Sequence, residues 1–369
     1  MFQVILNNMI DYITCMPDLS VVIPYFNQPQ QLHNALNDLL AQQQVNLEVI
    51  VVDDASEHSA VDVVNDFKQH GLNLTLLRQP QRSFTLAARL RGMQVARGRW
   101  LAFMDSDDGL CGSTVYAEAL NLINQLPDLD ILHYRVVTEK PLMASWDGNV
   151  PLINENKCFC EWIYASPFHN EILTNCQIFH TWLATDCKAH TVWNKLYSRH
   201  LYHTVMNLNH HIHIFRIEDF YLTALFLFFA KKYVPCDIAV YKYVPPQSNN
   251  INKLAGRASD IVRLIKEFPT FLESLGLDQK SSKELSKYLY NILFLYVGRM
   301  CKLLPNHDKL DFAAWRNLLT PILKNLEMYN KNQELLLALL LTNGSNVQKI
   351  QSIKNQLLSS LPHNLISMQ

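Results

Sequence analysis

The chain has 369 residues, 49% of them hydrophobic and 18% charged, which excludes a largely disordered polypeptide. At about 100–200 residues per domain, this length suits two or three domains with a sizeable core. Lys plus Arg number 32 against 33 Asp plus Glu, a net charge of -1, which argues against capture of nucleic acid by bulk electrostatics.

Met1–Pro17 carries no Lys or Arg and reads as an N-terminal extension rather than a secretory leader. Beyond it, apolar β-rich runs occur at Leu19–Pro24, Leu47–Val52, Leu72–Leu77, Trp100–Met104 and Asp130–Val137. Helical patterns lie between them at Gln30–Gln42, Ala60–His70, Leu86–Ala96 and Ser113–Leu126. Continuous apolar runs joined by helices predict buried parallel strands, and the alternation predicts an open α/β sheet with right-handed crossovers. Trp146–Arg199 is less regular and rich in aromatics, Asn and His. Ile217-Glu218-Asp219-Phe220 opens an apolar helix to Ala230, and Val234–Val244 has strand character. Pro245–Asn250 reads as a linker. The pattern beyond it is helical, with spacers at Pro269, Gly276, Pro305 and Pro321. Leucines 335–337 and 339–341 are most simply core, a dimer or membrane face being the sharper alternative.

The eight cysteines are scattered without a CxxC pair, which predicts free thiols in a reducing compartment. Cys158 and Cys160 lack the second pair that a zinc knuckle needs. No run reaches the ~18 uninterrupted apolar residues of a spanning helix.

Open α/β sheets bind ligands beyond the carboxyl ends of their strands. There the first strand ends in Pro24-Tyr25-Phe26-Asn27, the second in Asp53-Asp54, and the fourth in Asp105-Ser106-Asp107-Asp108. Carboxylates leaving apolar strands cost solvation unless a cation, ligand or water satisfies them. In extended backbone Asp105 and Asp107 would face one side together, and paired hard oxygens suit Mg²⁺ or Mn²⁺ with substrate phosphates completing the shell. The plainer alternative makes these aspartates helix caps and turn formers. His210, His211 and His213 form a further cluster, which an exposed loop or strand explains better than a metal site.

The ordered blocks LSVVIPYFNQ, VIVVDDAS, AARLRGMQVARGRWLAFMDSDD, VWNKLY and IEDFYLTALF resemble the family 2 glycosyltransferases. The resemblance covers roughly Leu19 to Asn250. It implies a GT-A fold, a Rossmann-like, mostly parallel sheet flanked by helices. The domains would be 1–18 as extension, 19–250 as GT-A domain and 251–369 as an all-helical C-terminal domain. It places Pro24, Tyr25, Phe26, Asn27, Asp53, Asp54, Arg89, Ser106 and Lys195 at the nucleotide-sugar. It makes Asp105 and Asp107 the metal-binding DxD, with Asp105 also at the donor, and Asp219 the general base. Leu90 replaces an Asn of the family pattern, Ser83 stands where many relatives have Gly, and Val244 replaces a late Arg.

The activity so implied is inverting, metal-dependent transfer of a sugar from a UDP-type donor to a hydroxyl of a glycan or lipid-linked oligosaccharide, in bacterial surface polysaccharide synthesis. A cytoplasmic protein follows, with peripheral contact at the inner membrane face and a homodimer as further expectations and no nucleic acid partner. The alternative is a catalytically silent nucleotide-sugar-binding module in a glycan-assembly complex. A nucleotidyltransferase is less suited, because Pro24–Gln31 lacks the glycines of a phosphate loop.

Overall fold

The computed structural model describes residues 16–138, 172–185, 190–244 and 251–302. By internal contacts the chain divides at Asn209/His210, Ile217/Glu218 and Pro245/Pro246. His210–Ile217 therefore goes with the helical unit, a difference from the expected single boundary at 250. Its cause is Asp260, whose carboxylate accepts the amide N–H groups of Phe215 and Arg216 at 2.9 and 2.7 Å.

The first unit is built on one sheet. Its strands are β1 (Leu19–Tyr25), β2 (Leu47–Asp53), β3 (Leu74–Arg78), β4 (Trp100–Phe103), β5 (Gly109–Leu110), β6 (Ile131–Thr138), β7 (Leu173–Thr174), β8 (Lys195–Ser198) and β9 (Lys232–Tyr243). The order is β3-β2-β1-β4-β8-β6-β9-β5, with β7 also on β9. Val21, Val22 and Ile23 of β1 and Val49 to Val52 of β2 are wholly buried, as strands covered on both faces should be. β1 pairs in parallel with β2 and β4, and β2 with β3.

β6 departs from the expectation of a continuing parallel run. The four-residue β8 stands between β4 and β6 and pairs antiparallel with both. A strand of Lys, Leu, Tyr and Ser carries too little apolar pattern to announce itself. β6 then pairs in parallel with β9.

The helices of this unit are α1 (Pro29–Leu40), α2 (Val61–Gln69), α3 (Phe84–Val95), α4 (Val115–Ile123), α5 (Cys176–Ala184), α6 (Arg199–Met206) and α7 (Glu218–Phe229). Each of the first three follows a strand, as patterned. α3 lies close on β1 at Gly92, where a Cβ would stand 2.3 Å from Val22 Cγ1. Arg97 and Arg99 are exposed but paired, with Glu48 and Asp18 respectively. Cys111, Cys176 and Cys236 are free thiols.

The second unit contains α8 (Ile251–Ser274) and α9 (Gln279–Lys302). Leu254, Ala258, Ile261, Leu264, Phe268 and Leu272 form the buried stripe of α8, and Leu285, Leu289 and Leu293 that of α9. α8 runs through Pro269, which the sequence offered as a spacer, because the apolar stripe continues on both sides of it. Gly276, at φ 107°, takes the left-handed turn between the helices. His211 packs edge-on against Phe271. Among the described residues no cluster of three or more His, Cys, Asp or Glu could hold a metal, and no helix is long and apolar enough to cross a membrane. Cys158, Cys160, Pro305, Pro321 and the leucines at 335–341 lie outside the described residues.

Candidate active site

From β1 the chain goes one way to β2 and β3 and returns on the other side of β1 as β4. The strand order thus switches between β1 and β4, and a cleft of about 230 Å³ opens at their carboxyl ends. Pro24, Tyr25, Phe26 and Gln28 line it from β1, Asp54 from β2, and Thr85, Ala88 and Arg89 from α3. Asp105, Ser106 and Asp107 line it from the turn after β4, and Glu218 from the start of α7.

Asp53 and Asp54 separate here. Asp53, fully buried, accepts from Ser56 N at 2.9 Å and from Arg78 Nη1 at 3.0 Å, away from the cleft lining. Asp54 reaches the cleft, and its two oxygens accept the amides of Ser83 (2.6 Å) and Phe84 (2.8 Å) at the start of α3. Phe84 sits at φ 64°, an uncommon conformation for a bulky residue, and Asp54 holds it there. Asn27, at φ 56°, tolerates the turn into α1 and clips two loops. It donates from its backbone to Ser56 Oγ at 3.0 Å and accepts from His58 N at 3.0 Å. Asn27 and Asp53 therefore shape the site without lining it. The Arg82 guanidinium stands 4.0 Å from the Phe26 ring centre, at the rim.

Asp105 and Asp107 do share the cleft, for a different reason than the one expected. Residues 105–108 form a turn closed by Asp108 N donating to Asp105 O at 3.2 Å, and Ser106 faces the cleft as well. Tyr241 of β9 anchors the turn. Its hydroxyl donates to Asp108 Oδ2 at 2.7 Å and accepts from Asp105 N at 3.0 Å, while Val244 N donates to Asp108 Oδ1 at 2.7 Å. Trp193 stacks on both Tyr241 and Tyr243. Burial, helped by the nearby Asp105 charge, pushes the Asp108 carboxyl well above its ordinary range. Asp108 is thus the structural member of the DSDD sequence. Tyr241, to which the sequence reading gave no role, organises it.

Arg89 joins the acidic groups. Its Nη2 donates to Asp105 Oδ1 at 2.8 Å, and its Nη1 to Glu218 Oε1 at 3.3 Å and to Asp219 Oδ1. Burial alone would lower its basicity, but Asp219, Asp105 and Glu218 together raise it. Burial pushes Glu218 up to about 7, with Asp219 adding to the shift and Arg89 opposing it. Asp105 is also raised, by burial first. Lys195 is 1% exposed and donates to Thr191 O (2.6 Å) and Asn194 Oδ1 (2.7 Å), so it lies beneath the site and not among the lining residues. Burial lowers it to about 7 against the pull of Asp219. Glu218, Gln28 and Thr85 are lining residues that the motif reading did not assign.

A family model described as Glycosyl transferase family 2 matches residues 20–130. The uncharacterized glycosyltransferase YibD of Escherichia coli (strain K12) is 32% identical over 113 residues, 31% of this chain and 32% of that protein. The succinoglycan biosynthesis protein ExoO of Rhizobium meliloti (strain 1021) is 35% identical over 92 residues, 25% of this chain and 26% of that protein. The matches span about a third or less of these curated relatives. Among solved structures, the mannosyltransferase PcManGT from Pyrobaculum calidifontis, in complex with GDP-Man and Mn²⁺, aligns with a TM-score of 0.50 at 14% identity, covering 95% of this chain and 89% of that one. That is a likeness of fold. Residues 20–130, which carry β1 to β4 and the acidic turn, are thus similar to glycosyltransferase family 2, and the sheet has the GT-A fold.

Proposed function

We propose that the chain is an inverting glycosyltransferase that moves a sugar from a UDP-type nucleotide-diphosphate donor to a hydroxyl of a glycan or lipid-linked oligosaccharide in bacterial surface polysaccharide synthesis. The observation that carries this reading is the convergence of Asp105 from β4 and Glu218 and Asp219 from α7 on one buried guanidinium, at the switch point of the sheet. That arrangement sets Asp105 and Glu218 on one cleft, with Asp219 beside them on the same guanidinium. The acidic groups after β4 suit the donor, and those opening α7 suit the acceptor. The relatives' names point the same way, ExoO to polysaccharide synthesis and the mannosyltransferase complex to a nucleotide-sugar with Mn²⁺.

The residues fit a divalent cation. Asp105 and Asp107 give two hard oxygen donors on one cleft, and no third His, Cys, Asp or Glu completes a cage among the described residues. Two hard oxygens of this kind suit Mg²⁺ or Mn²⁺, which take phosphate oxygens as further ligands. Bound there, the cation would offset charge gathering on the leaving diphosphate. Pro24, Phe26 and Asp54 bind the nucleoside in this reading, and Arg82 rests over Phe26 at the rim. Asp219 takes the proton of the attacking hydroxyl as general base. Attack from the face opposite the diphosphate inverts the anomeric centre.

Incubating the protein with a panel of nucleotide sugars and Mn²⁺ or Mg²⁺, and measuring nucleoside diphosphate release, tests the reading. Metal-dependent UDP release that disappears in Asp107→Ala is the expected result. Nucleotide binding without turnover would instead favour the silent module.

A further inference from the structure

Among the described residues, Arg89 is the largest charged side chain sealed inside the first unit, with 1% of it exposed. The family resemblance set it at the nucleotide. Its surroundings point to a further role. Both terminal nitrogens already donate to carboxylates, Nη2 to Asp105 and Nη1 to Glu218 and Asp219. Its Nε is buried with no hydrogen-bond partner, so the tip and not the stem determines where the guanidinium rests. The three acids are 13–31% exposed, and where Arg89 meets the cleft both of its terminal nitrogens are already taken by them. A phosphate in the cleft would have to displace a carboxylate to take its place.

We infer that Arg89 is a positioning residue, a cross-link that holds Asp105 of the donor side and the Glu218–Asp219 pair of the acceptor side at one fixed separation. This rests on the transferase reading. The planar fork of arginine suits the task because it donates from two nitrogens along fixed directions, whereas lysine is a single mobile point charge. Without the guanidinium, three carboxylates drawn to one place repel one another. The residues that would grip the donor and the residue that would deprotonate the acceptor then drift apart. Such misplacement lowers the rate of the chemical step, while metal-free nucleotide binding at Pro24, Phe26 and Asp54 stays in place.

The test is Arg89→Lys, which keeps the charge and loses the fork. The expected result is a fall in kcat for UDP release on the order of 10²-fold. Donor KM, and the Kd for UDP measured by calorimetry without metal, should change less than about threefold. A Kd for UDP weakened tenfold or more, or a kcat within about threefold of wild type, overturns the inference. If Arg89→Lys does not fold, the urea midpoints of Arg89→Gln, Asp219→Asn and the double variant decide. A double variant more stable than Arg89→Gln supports the cross-link, and simple additivity overturns it. If the wild type turns over no donor, the transferase reading fails, while this cycle still judges the cross-link.

Discussion

Asp219 sits in the first turn of α7, paired with Arg89 beside Glu218. Asp219→Asn keeps the side-chain shape but removes the basic oxygen. Transfer should fall by ~10²–10⁴-fold. UDP affinity should hold, and UDP-release assays with calorimetry check both. Transfer at a near wild-type rate would remove Asp219 from the role of base. The motif was legible as an acidic pair opening an apolar helix, but not which of the two carboxylates lines the cleft. Glu218 does. A similar limit applies to Asp53 and Asp54. Adjacent strand residues point to opposite faces, so one of them had to turn from the ligand, and only the tertiary partners Arg78 and Ser83 decide which. The burial of Arg89 had no local signal, since arginine is ordinarily exposed and its partners come from elements 16 and 130 residues away.

At the scale of elements, the seating of α3 on β1 fixes where Arg89 and Ala88 meet the cleft. Gly92→Ala would gain about 1 kcal/mol of helix propensity. It also drives a methyl to 2.3 Å from Val22 Cγ1 in a wholly buried strand. Overpacking of this kind costs about 1–3 kcal/mol, so the net change is a loss of stability. Urea unfolding should show it, and the Val22→Ala/Gly92→Ala double variant should lose less than the sum of its singles. The runs that became β1, β2 and β4 were readable because strands buried on both faces are apolar throughout. β8 was not, being four residues whose buried lysine satisfies itself through Thr191 and Asn194. α8 passed through Pro269 for the converse reason, its long apolar stripe outweighing one missing donor.

For the whole molecule, two buried groups give stability a pH dependence of opposite slopes. Glu218 titrates near 7 in the folded chain against an ordinary 4.5. Between those values the folded chain holds a proton that the unfolded chain has released, so stability falls as pH rises. Lys195 titrates near 7 against an ordinary 10.5. Above pH 7 the unfolded chain holds the extra proton, so stability rises with pH up to that ordinary value. Urea midpoints at about pH 5, 7 and 9 should therefore change selectively. Glu218→Gln should remove the falling component between the first two, and Lys195→Met the rising component between the last two. An unaltered profile in either variant would show that its group does not titrate as described.

The hydroxyl of Tyr241 touches Asp108 across 133 positions of sequence and Asp105 across 136. A ribosome therefore releases the DSDD segment long before the strand that tethers it exists. The strands β1 to β4 can pair among themselves once β4 has emerged. The acidic turn must wait for β9, and contacts so distant along the chain form late because closing large loops costs entropy. During synthesis the acidic turn would therefore reach its final form only after β1 to β4 had been made.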